Sequence, residues 1–345
     1  MDSTTLAIVG AGSLGQTVAA LLAASGQQVT LLATPATADR LLGAGRIRLH
    51  GVDNRDVPAS STNAPAGAVG VTATPSALPE RCGLIFATKG HQLAAAIAGV
   101  RGVWPRAGDA ASWVAGVQNG VIKDDMLAEA FGSERVVGAA SIVGAQREPD
   151  GQVLVTSLGA SYLGELSGDR SARVEQAVAL LQQAGIPTDA VDDIRSVIWS
   201  KACNATGVFG VSVLTRGSAP GPMRNVDLMR AYLALVRETA AIAAAEGVAL
   251  GDYAGFPIRT YLERPEAETL AEVAQRARAA PARPTGLESL PSMTQDLLAG
   301  RPMEVEEVFA DVVARAERAG LAVPRLTLVR DLLRGIDPGR KQSAI

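Results

Sequence analysis

Cysteine, histidine and aromatic residues are all scarce in this chain of 345 residues. The two cysteines, Cys82 and Cys203, are too few for a disulfide framework or a cysteine-based zinc site, and they fit a reducing compartment. The two histidines, His50 and His91, leave little choice for a histidine–carboxylate proton relay. Aromatic residues amount to 3%, so the hydrophobic cores must rely on Ala, Val and Leu.

Long runs of basic residues are also missing. The 32 Lys and Arg residues are balanced by 35 Asp and Glu residues, so we expect no nucleic-acid partner. The first residues, MDSTTLAIVGAG, lack a basic segment and are typical of a strand and a turn rather than of a signal peptide. The most apolar later stretch, residues 231–250, carries three charged residues, too many for a membrane-spanning helix. These features predict a cytoplasmic protein that binds no membrane.

Two domains are expected, because 345 residues exceed what one hydrophobic core usually serves. Continuous apolar runs in the first half favour a mostly parallel sheet covered on both faces. They predict strands at residues 6–9, 28–33, 68–73, 84–88, 112–117 and 136–143. The polar residues 46–67, rich in Gly, Pro and Ser, are expected to be loops. Residues 153–157 and 161–164 are expected to form a hairpin.

Beyond about residue 190 the pattern is mainly helical, with segments at residues 193–209, 227–246, 265–279, 302–319 and 326–333. We therefore predict an α/β Rossmann-type N-terminal domain with a mostly parallel sheet, residues 1–188. An all-α C-terminal domain, residues 189–345, is expected to follow it. The apolar helices of this second domain also suggest a homodimer interface.

A glycine-rich loop follows the first predicted strand and precedes a helix. Its residues are Gly10, Ala11, Gly12, Ser13, Leu14 and Gly15, which match the pattern G-x-G-x-x-G. In dinucleotide-binding folds the glycines permit a tight turn, close approach of a pyrophosphate and close packing of helix on strand. The helix N-terminus offers free N–H groups to the anion. The alternative is a glycine-rich turn that binds nothing.

The end of the second predicted strand favours NADP over NAD. Binders of NAD usually place an acidic residue there to hold the ribose 2′-hydroxyl group. Here the strand ends at Thr34, and no acid occurs before Asp39. A small hydroxyl residue followed by Arg40 could accept a 2′-phosphate instead. NAD remains the alternative cofactor.

Two polar residues follow neighbouring predicted strands. Lys89 comes directly after residues 84–88, and Asn119 follows residues 112–117. Ligands of such sheets bind at the carboxyl ends of the parallel strands, so both side chains are candidates for the cofactor site. The alternative is a solvated lysine and a turn-forming Asn–Gly pair.

Lys201 lies in a helical segment with hardly another charge. Desolvation near an apolar wall would lower the pKa of its ammonium group, and such a lysine can give a proton to a developing alkoxide. Asn204, three residues on, lies on the same face of the predicted helix. The alternative is a lysine that extends to water. His91 competes as a proton donor, but its place beside Lys89 predicts a surface position.

Ser292 and Glu304 lie in the segment SMTQDLLAGRPMEVEEVF. Glu304 shares a helical row with Val308 and Val312, so we expect it to begin an apolar stripe, where its carboxylate could accept a hydrogen bond from a substrate hydroxyl group. Alternatively, this glutamate and its neighbours merely favour the positive end of a helix.

Taken in order, these motifs resemble the ketopantoate reductase (2-dehydropantoate 2-reductase) family. The resemblance covers nearly the whole chain and rests on GAGSLG, FATKGHQ, VQNGV, WSKACN and SMTQDLLAGRPMEVEE. The last motif is the most specific, because it keeps the interval between Ser292 and Glu304. The family usually has Arg at the position of Thr34, and its helical Asn follows the lysine by four residues rather than three.

The resemblance implies that a hydride passes from the nicotinamide to the carbonyl carbon of a 2-oxo acid, in a cleft between the two domains. Lys201 would protonate the carbonyl oxygen, while Glu304 would hold the substrate hydroxyl group and the nearby cofactor. Asn119 and Lys89 would line the cofactor pocket, and Ser292 would help to bind the substrate carboxylate. Asn204 would also contact the substrate. The alternatives are a reductase of a bulkier keto compound and a dinucleotide-binding sensor without catalysis.

Overall fold

The computed structural model describes residues 5–62, 64–105, 112–219, 221–279 and 290–340. The chain forms two compact units. The first comprises Met1–Gln118 and Lys123–Arg195, and the second comprises Asn119–Ile122 and Ser196–Ile345. The boundary predicted after residue 188 falls within a strand of the first unit, Thr188–Ala190.

The first unit is built on one curled, mostly parallel sheet. Its strands are β1 (Leu6–Val9), β2 (Val29–Leu32), β3 (Arg46–Gly51), β4 (Arg55–Ser61), β5 (Val69–Thr72), β6 (Gly83–Phe86), β7 (Trp113–Gly116), β8 (Val137–Arg147), β9 (Val153–Glu165) and β10 (Thr188–Ala190). They are ordered β10-β9-β3-β4-β5-β2-β1-β6-β7, with β8 paired to β9. Among the described residues of this sheet, only the pairs β3–β4 and β8–β9 are antiparallel. This confirms the predicted Rossmann-type sheet.

Helices cover the sheet, and this explains the continuous apolar strands. They are α1 (Ser13–Ala24), α2 (Pro35–Ala44), α3 (Leu93–Arg101), α4 (Ile122–Phe131) and α5 (Ala172–Gln183). Every residue of β1, β5, β6 and β7 is buried. One core cluster joins α1, α2 and α5 to the sheet, and a second contains residues of α3 and α4. Shortening a core leucine such as Leu22 to alanine would cost about 2–5 kcal/mol of stability.

Two predictions about the first unit are wrong. Residues 46–67, expected to be loops, contain β3 and β4, whose buried side chains alternate with exposed ones. The polar residues are the exposed side chains of an antiparallel pair whose other face is buried. The hairpin expected within residues 153–164 is instead the continuous strand β9. Gly159 makes no turn there, but allows close approach to Ile142 on β8, where a Cβ would lie 2.9 Å from the carbonyl oxygen.

The second unit is helical. Its helices are α6 (Ile194–Thr215), α7 (Val226–Ala245), α8 (Ile258–Glu263), α9 (Glu266–Ala279), α10 (Ser292–Leu298), α11 (Asp311–Arg318) and α12 (Pro324–Ile336). The prediction of an all-α unit needs one correction, because β11 (Asp252–Tyr253) and β12 (Phe256–Pro257) form a short antiparallel pair. The predicted helix at residues 302–319 contains a π-helical turn at Glu306–Ala310, which leads directly into α11.

The apolar helix α6 forms the core of the second unit. Gly207 lets it approach α7 closely, since a Cβ there would enter the ring of Tyr232. Thr206 and Thr239 join the two helices through a hydrogen bond of 2.8 Å. By length and composition α6 could span a membrane, but 78% of its most apolar stretch is buried within the protein. Packing therefore accounts for its apolar sequence.

Candidate active site

The three glycines of the loop after β1 have different surroundings. Gly10 has φ of +108°, and a Cβ on it would lie 2.8 Å from the backbone nitrogen of Thr88. A Cβ on Gly15 would collide with the carbonyl oxygen of Gly10, so this glycine permits the packing of α1 on β1. A Cβ on Gly12, in contrast, would meet only the carbonyl oxygen of Ala87, at 4.0 Å. No protein packing requires Gly12, so the space in front of it is open to a ligand.

The first turn of α1 is suited to an anion. Gly12 occupies the N-cap position and has no side chain to cap the helix, and the first turn contains no acidic residue. Gln16 is buried and donates a hydrogen bond of 2.8 Å to the carbonyl oxygen of Ala11, which fixes the loop from within. The Ser13 hydroxyl group donates a hydrogen bond of 3.1 Å to the carbonyl oxygen of Ala145 on β8. These residues fit the pyrophosphate of a dinucleotide, which would accept from the free N–H groups.

Thr34 and Arg40 lie at the start of α2 and along it. Thr34 is exposed in the N-cap position, and its hydroxyl group donates to Oγ1 of Thr37 at 3.1 Å. Partial burial and the nearby Arg147 lower the pKa of the exposed Arg40 guanidinium group. The structure thus brings Arg40 close to a second arginine, at the end of β8. Sequence reasoning missed Arg147, since the two elements are far apart along the chain.

Side chains after β6 and β7 connect the two strand ends. Lys89 is half-buried, three residues after β6. Gln118 was not among the predicted residues, although it stands beside Asn119 in the sequence. Its Nε2 group donates a hydrogen bond of 3.0 Å to the carbonyl oxygen of Phe86 and one of 3.4 Å to the Thr88 hydroxyl group. Gln118 therefore fixes the strand ends from which Lys89 and Asn119 extend.

Asn119 belongs to the second unit. The adjacent Gly120 has φ of +85° and packs against the π-helical turn, where Cα of Val308 would lie 3.7 Å from its Cβ. A Cβ would also collide with the carbonyl oxygen of Glu307. The structure thus brings the Asn119 loop next to the segment that follows Glu304.

The polar side chains of α6 are held by its neighbours. Lys201 is half-buried, and Val197 and Ala205, one turn away on either side, are buried. Asn204 is also half-buried, and its Oδ1 atom accepts a hydrogen bond of 2.9 Å from the Tyr232 hydroxyl group. Ser200, next to the lysine, is buried and accepts a hydrogen bond of 3.0 Å from the backbone N–H of Gly251. These contacts tie the helix around Lys201 to α7 and to the segment before β11.

The three glutamates after Met303 have different environments. Glu304 is only 3% exposed, and Val308 and Val312 are buried, so the carboxylate stands at the head of an apolar stripe. Glu306 is exposed and bonds to Arg334, which lowers the pKa of its carboxyl group. Burial raises the pKa of Glu307 to about 7, and the charges of Glu304 and Glu306 add to this effect. A shared place at a helix N-terminus would not by itself give the three glutamates such different burial and contacts.

Ser292 is the first residue of α10 and is half-buried. Two residues of the same motif hold the following turn, since Arg301 donates from Nε to Oδ1 of Asp296 at 3.0 Å. In the part of the chain that the structure describes, no three His, Cys, Asp or Glu residues form a group that could hold a metal ion.

The sequence matches one family along both units. Residues 6–168 match the sequence model described as Ketopantoate reductase PanE/ApbA, and residues 193–337 match that of its C-terminal part. The chain belongs to the ketopantoate reductase family. It is therefore an oxidoreductase that acts on a keto or hydroxy group.

Two relatives with low identity to this chain match it over nearly its whole length. A 2-dehydropantoate 2-reductase from Archaeoglobus fulgidus is 27% identical over 334 residues, which are 96% of this chain and 97% of the relative. The structure of 2-dehydropantoate 2-reductase from Geobacter metallireducens has a TM-score of 0.77, with 22% identity, and the match covers 96% of this chain and 99% of that one.

Two further structures with the same fold are named for a different substrate or for a dimeric assembly. D-mandelate dehydrogenase in ternary complex with NADH and anilino(oxo)acetate has a TM-score of 0.76 and 19% identity, with 96% and 98% coverage. Dimeric ketopantoate reductase from Staphylococcus aureus has a TM-score of 0.68 and 20% identity, again with 96% and 98% coverage. The fold is therefore shared by enzymes of different substrate.

Proposed function

We propose that this chain is an NADP-dependent reductase that converts a 2-oxo acid into a 2-hydroxy acid, with ketopantoate as the first candidate. The observation that carries the proposal is a half-buried lysine on an apolar helix, one turn from an amide that Tyr232 orients. Family membership supports the reaction type, and the name of the Archaeoglobus fulgidus relative supports the substrate.

The residues of the glycine loop fit a dinucleotide, because Gly12 leaves open space in front of an uncapped helix N-terminus. In this proposal the backbone at Gly12 and the first turn of α1 hold the pyrophosphate, Gly10 and Gly15 shape the loop, and Lys89 and Asn119 line the rest of the cofactor pocket. The nicotinamide supplies the hydride that reduces the carbonyl carbon.

The proton comes from the protein. Lys201 donates it from Nζ to the carbonyl oxygen, so that the ketone gains a hydride and a proton and becomes a secondary alcohol. Glu304 accepts a hydrogen bond from a substrate hydroxyl group, and its low exposure strengthens this interaction. Ser292 and Asn204 donate hydrogen bonds to the substrate, and the bond from Tyr232 leaves the Nδ2 group of Asn204 for this purpose.

A bulkier keto acid is the second candidate substrate. The resemblance to the family implies a second asparagine further along this helix, but Val208 and Phe209 occupy that region in this chain. The substrate side is thus less polar than the family pattern implies. That D-mandelate dehydrogenase shares the fold supports the idea that this architecture serves aromatic substrates as well.

A panel of 2-oxo acids tests both candidates. Ketopantoate, pyruvate, 2-oxoisovalerate and phenylglyoxylate would each be assayed with NADPH and with NADH, and the absorbance of the reduced nicotinamide would be followed. The proposal expects kcat/KM to be highest for ketopantoate with NADPH. A higher value for phenylglyoxylate would favour the bulkier substrate, and no turnover with any of the four acids would contradict the proposed substrate class.

We also propose that two copies of the chain associate through α12. Leu328, Leu332 and Ile336 are exposed by 60%, 46% and 43% and follow one another at intervals of one helical turn. An apolar stripe of this kind is costly to leave in water. The Staphylococcus aureus reductase with the same fold is dimeric, which supports self-association as the reason for the stripe.

A further inference from the structure

Two arginines of the first unit lie close together although they have the same charge. Arg147 is the last residue of β8, and partial burial together with the charge of Arg147 lowers the pKa of Arg40 on α2. The Arg40 side chain extends to the turn between β8 and β9, where its Nη1 atom lies 3.2 Å from the position of a Cβ on Gly151. Two guanidinium groups repel each other unless an anion lies near both of them.

The carboxylates of this turn pair with other groups and not with the two arginines. Glu148 pairs with His50 at 2.8 Å, and Asp150 accepts hydrogen bonds from Gln152 at 2.6 and 3.0 Å. Within the described ranges of the chain, no ion pair or hydrogen bond involves the side chain of Arg40 or Arg147. Both side chains are exposed, so an anion from solution can reach them.

The arginine pair is connected to the dinucleotide loop through β8. Ser13 bonds to the carbonyl oxygen of Ala145, and Ala145 and Arg147 lie opposite Val155 and Val153 of β9. Residues two apart on a strand project to the same face, so Arg147 extends from the face that carries Ala145. The core cluster on this face includes Ala11 and Ala19 beside Ala38 and Leu41 of α2, the helix of Arg40.

The place of Arg40 on the helix that follows β2 agrees with where a dinucleotide's 2′ group lies in this fold. In this fold the ribose 2′ position of the adenosine half lies at the end of the second strand, which here is β2. Thr34 at that point leads into α2 and offers neither a carboxylate nor a positive charge. A positive charge for a 2′-phosphate must therefore come from other elements.

We propose that Arg40 and Arg147 together bind the 2′-phosphate of NADPH and so determine the cofactor preference of this enzyme. This inference rests on the proposed function, because it requires a dinucleotide in the glycine loop. A phosphate monoester carries close to two negative charges and accepts several hydrogen bonds, so two guanidinium groups match it in charge and in geometry.

The test compares Arg147→Gln, Arg40→Gln and a control, Arg101→Gln, which removes an exposed arginine from the last turn of α3. Dissociation constants would be measured by calorimetry for NADPH, NADH, adenosine 2′,5′-bisphosphate and adenosine 5′-phosphate. Each of the first two variants should weaken NADPH and the bisphosphate by about tenfold or more and leave NADH and the monophosphate unchanged. The control should change none of them.

The outcomes separate this inference from the proposed function. If the unaltered protein binds NADPH and Arg147→Gln binds it equally well, the arginine pair is not the phosphate site, while the reductase proposal stands. Equal weakening of NADPH and NADH would also overturn the inference, because it would indicate a general role in the loop. If the unaltered protein binds neither dinucleotide, both proposals are wrong. Unchanged thermal unfolding of the variants would confirm that these losses are local.

Discussion

Tyr232 donates a hydrogen bond of 2.9 Å from its hydroxyl group to Oδ1 of Asn204. The tyrosine is fully buried on α7, and burial raises the pKa of its phenol group well above the usual value. It therefore stays protonated and remains a donor. Since Oδ1 takes part in this bond, the amide of Asn204 is held in one orientation, one helical turn from Lys201.

Replacing Tyr232 by Phe should raise the KM for the 2-oxo acid several-fold and leave kcat nearly unchanged, because Asn204 loses its orientation while the proton donor remains. Loss of the buried bond should also lower the free energy of unfolding by about 1–2 kcal/mol. Tyr253→Phe is a matched control, since it removes a bond of 2.8 Å to Ser196 on the same helix. Equal KM values in the two variants would contradict a positioning role for Tyr232.

Gly12→Ala should separate cofactor binding from folding. The backbone of Gly12, with φ of −69°, suits any residue, and its Cβ would meet no protein atom closer than 4.0 Å. The variant should therefore unfold at nearly the same temperature, while the Cβ occupies space meant for the pyrophosphate and weakens dinucleotide binding by about tenfold or more.

Gly43→Ala, on α2 in open surroundings, is the control for this variant. It should bind the cofactor normally and gain about 0.5–1 kcal/mol of stability, because alanine is the better helix former. Dinucleotide affinity would be measured by calorimetry and stability by thermal unfolding. Normal binding by Gly12→Ala would contradict the assignment of the loop.

Glu307 should make the stability of the protein depend on pH. Its pKa is raised to about 7, so the folded state binds more protons than the unfolded state between about pH 4.5 and pH 7. The stabilisation is present at low pH and is lost as the pH rises through 7. Between pH 5 and pH 8 the unfolding free energy of the unaltered protein should fall by about 1–3 kcal/mol more than that of Glu307→Gln.

Urea unfolding at several pH values would measure this difference. Glu306→Gln is the control, because the bond with Arg334 lowers the pKa of Glu306. Its contribution has the opposite sign, since it is present above the usual pKa of a carboxyl group and is lost in acid. Parallel pH curves for the unaltered protein and Glu307→Gln would show that Glu307 titrates normally.

Leu332→Lys should convert the proposed dimer into a monomer, because it places a charge in the middle of the exposed stripe of α12. Leu298→Lys is the control, since Leu298 is also exposed, by 53%, but lies at the end of α10. Molar mass would be measured by light scattering after size-exclusion chromatography. A monomeric unaltered protein, or a Leu332→Lys variant that is still dimeric, would contradict an interface at α12.

Some strands and helices could be predicted from the sequence and others could not, and the difference has a physical cause. β1 was predicted with its observed bounds and α1 was expected directly after the glycine loop, because an apolar run followed by a glycine turn gives strong local signals. β3 and β4 were missed, because Gly, Pro and Ser suggested loops, whereas the alternation of Ile47 and Leu49 with polar residues is the signal of a half-buried strand.

The candidate site also contains residues that the sequence could predict and residues that it could not. Motifs indicated Lys201 and Glu304, and the structure places the first half-buried on α6 and the second buried before the π-helical turn, while their roles remain predictions. Tyr232 and Arg147 could not be found in this way, because each acts with a residue distant in the sequence. The hydrogen bond from Tyr232 to Asn204 is seen only once α7 packs on α6, and the second pairing is seen only once the Arg40 side chain reaches the turn after β8.

The most direct measurement is the steady-state turnover of Lys201→Ala with NADPH and the preferred 2-oxo acid, together with the dissociation constant for NADPH. With Lys201 as the proton donor, kcat should fall by about a hundredfold or more, while NADPH binds as tightly as before. A kcat equal to that of the unaltered protein would contradict the account.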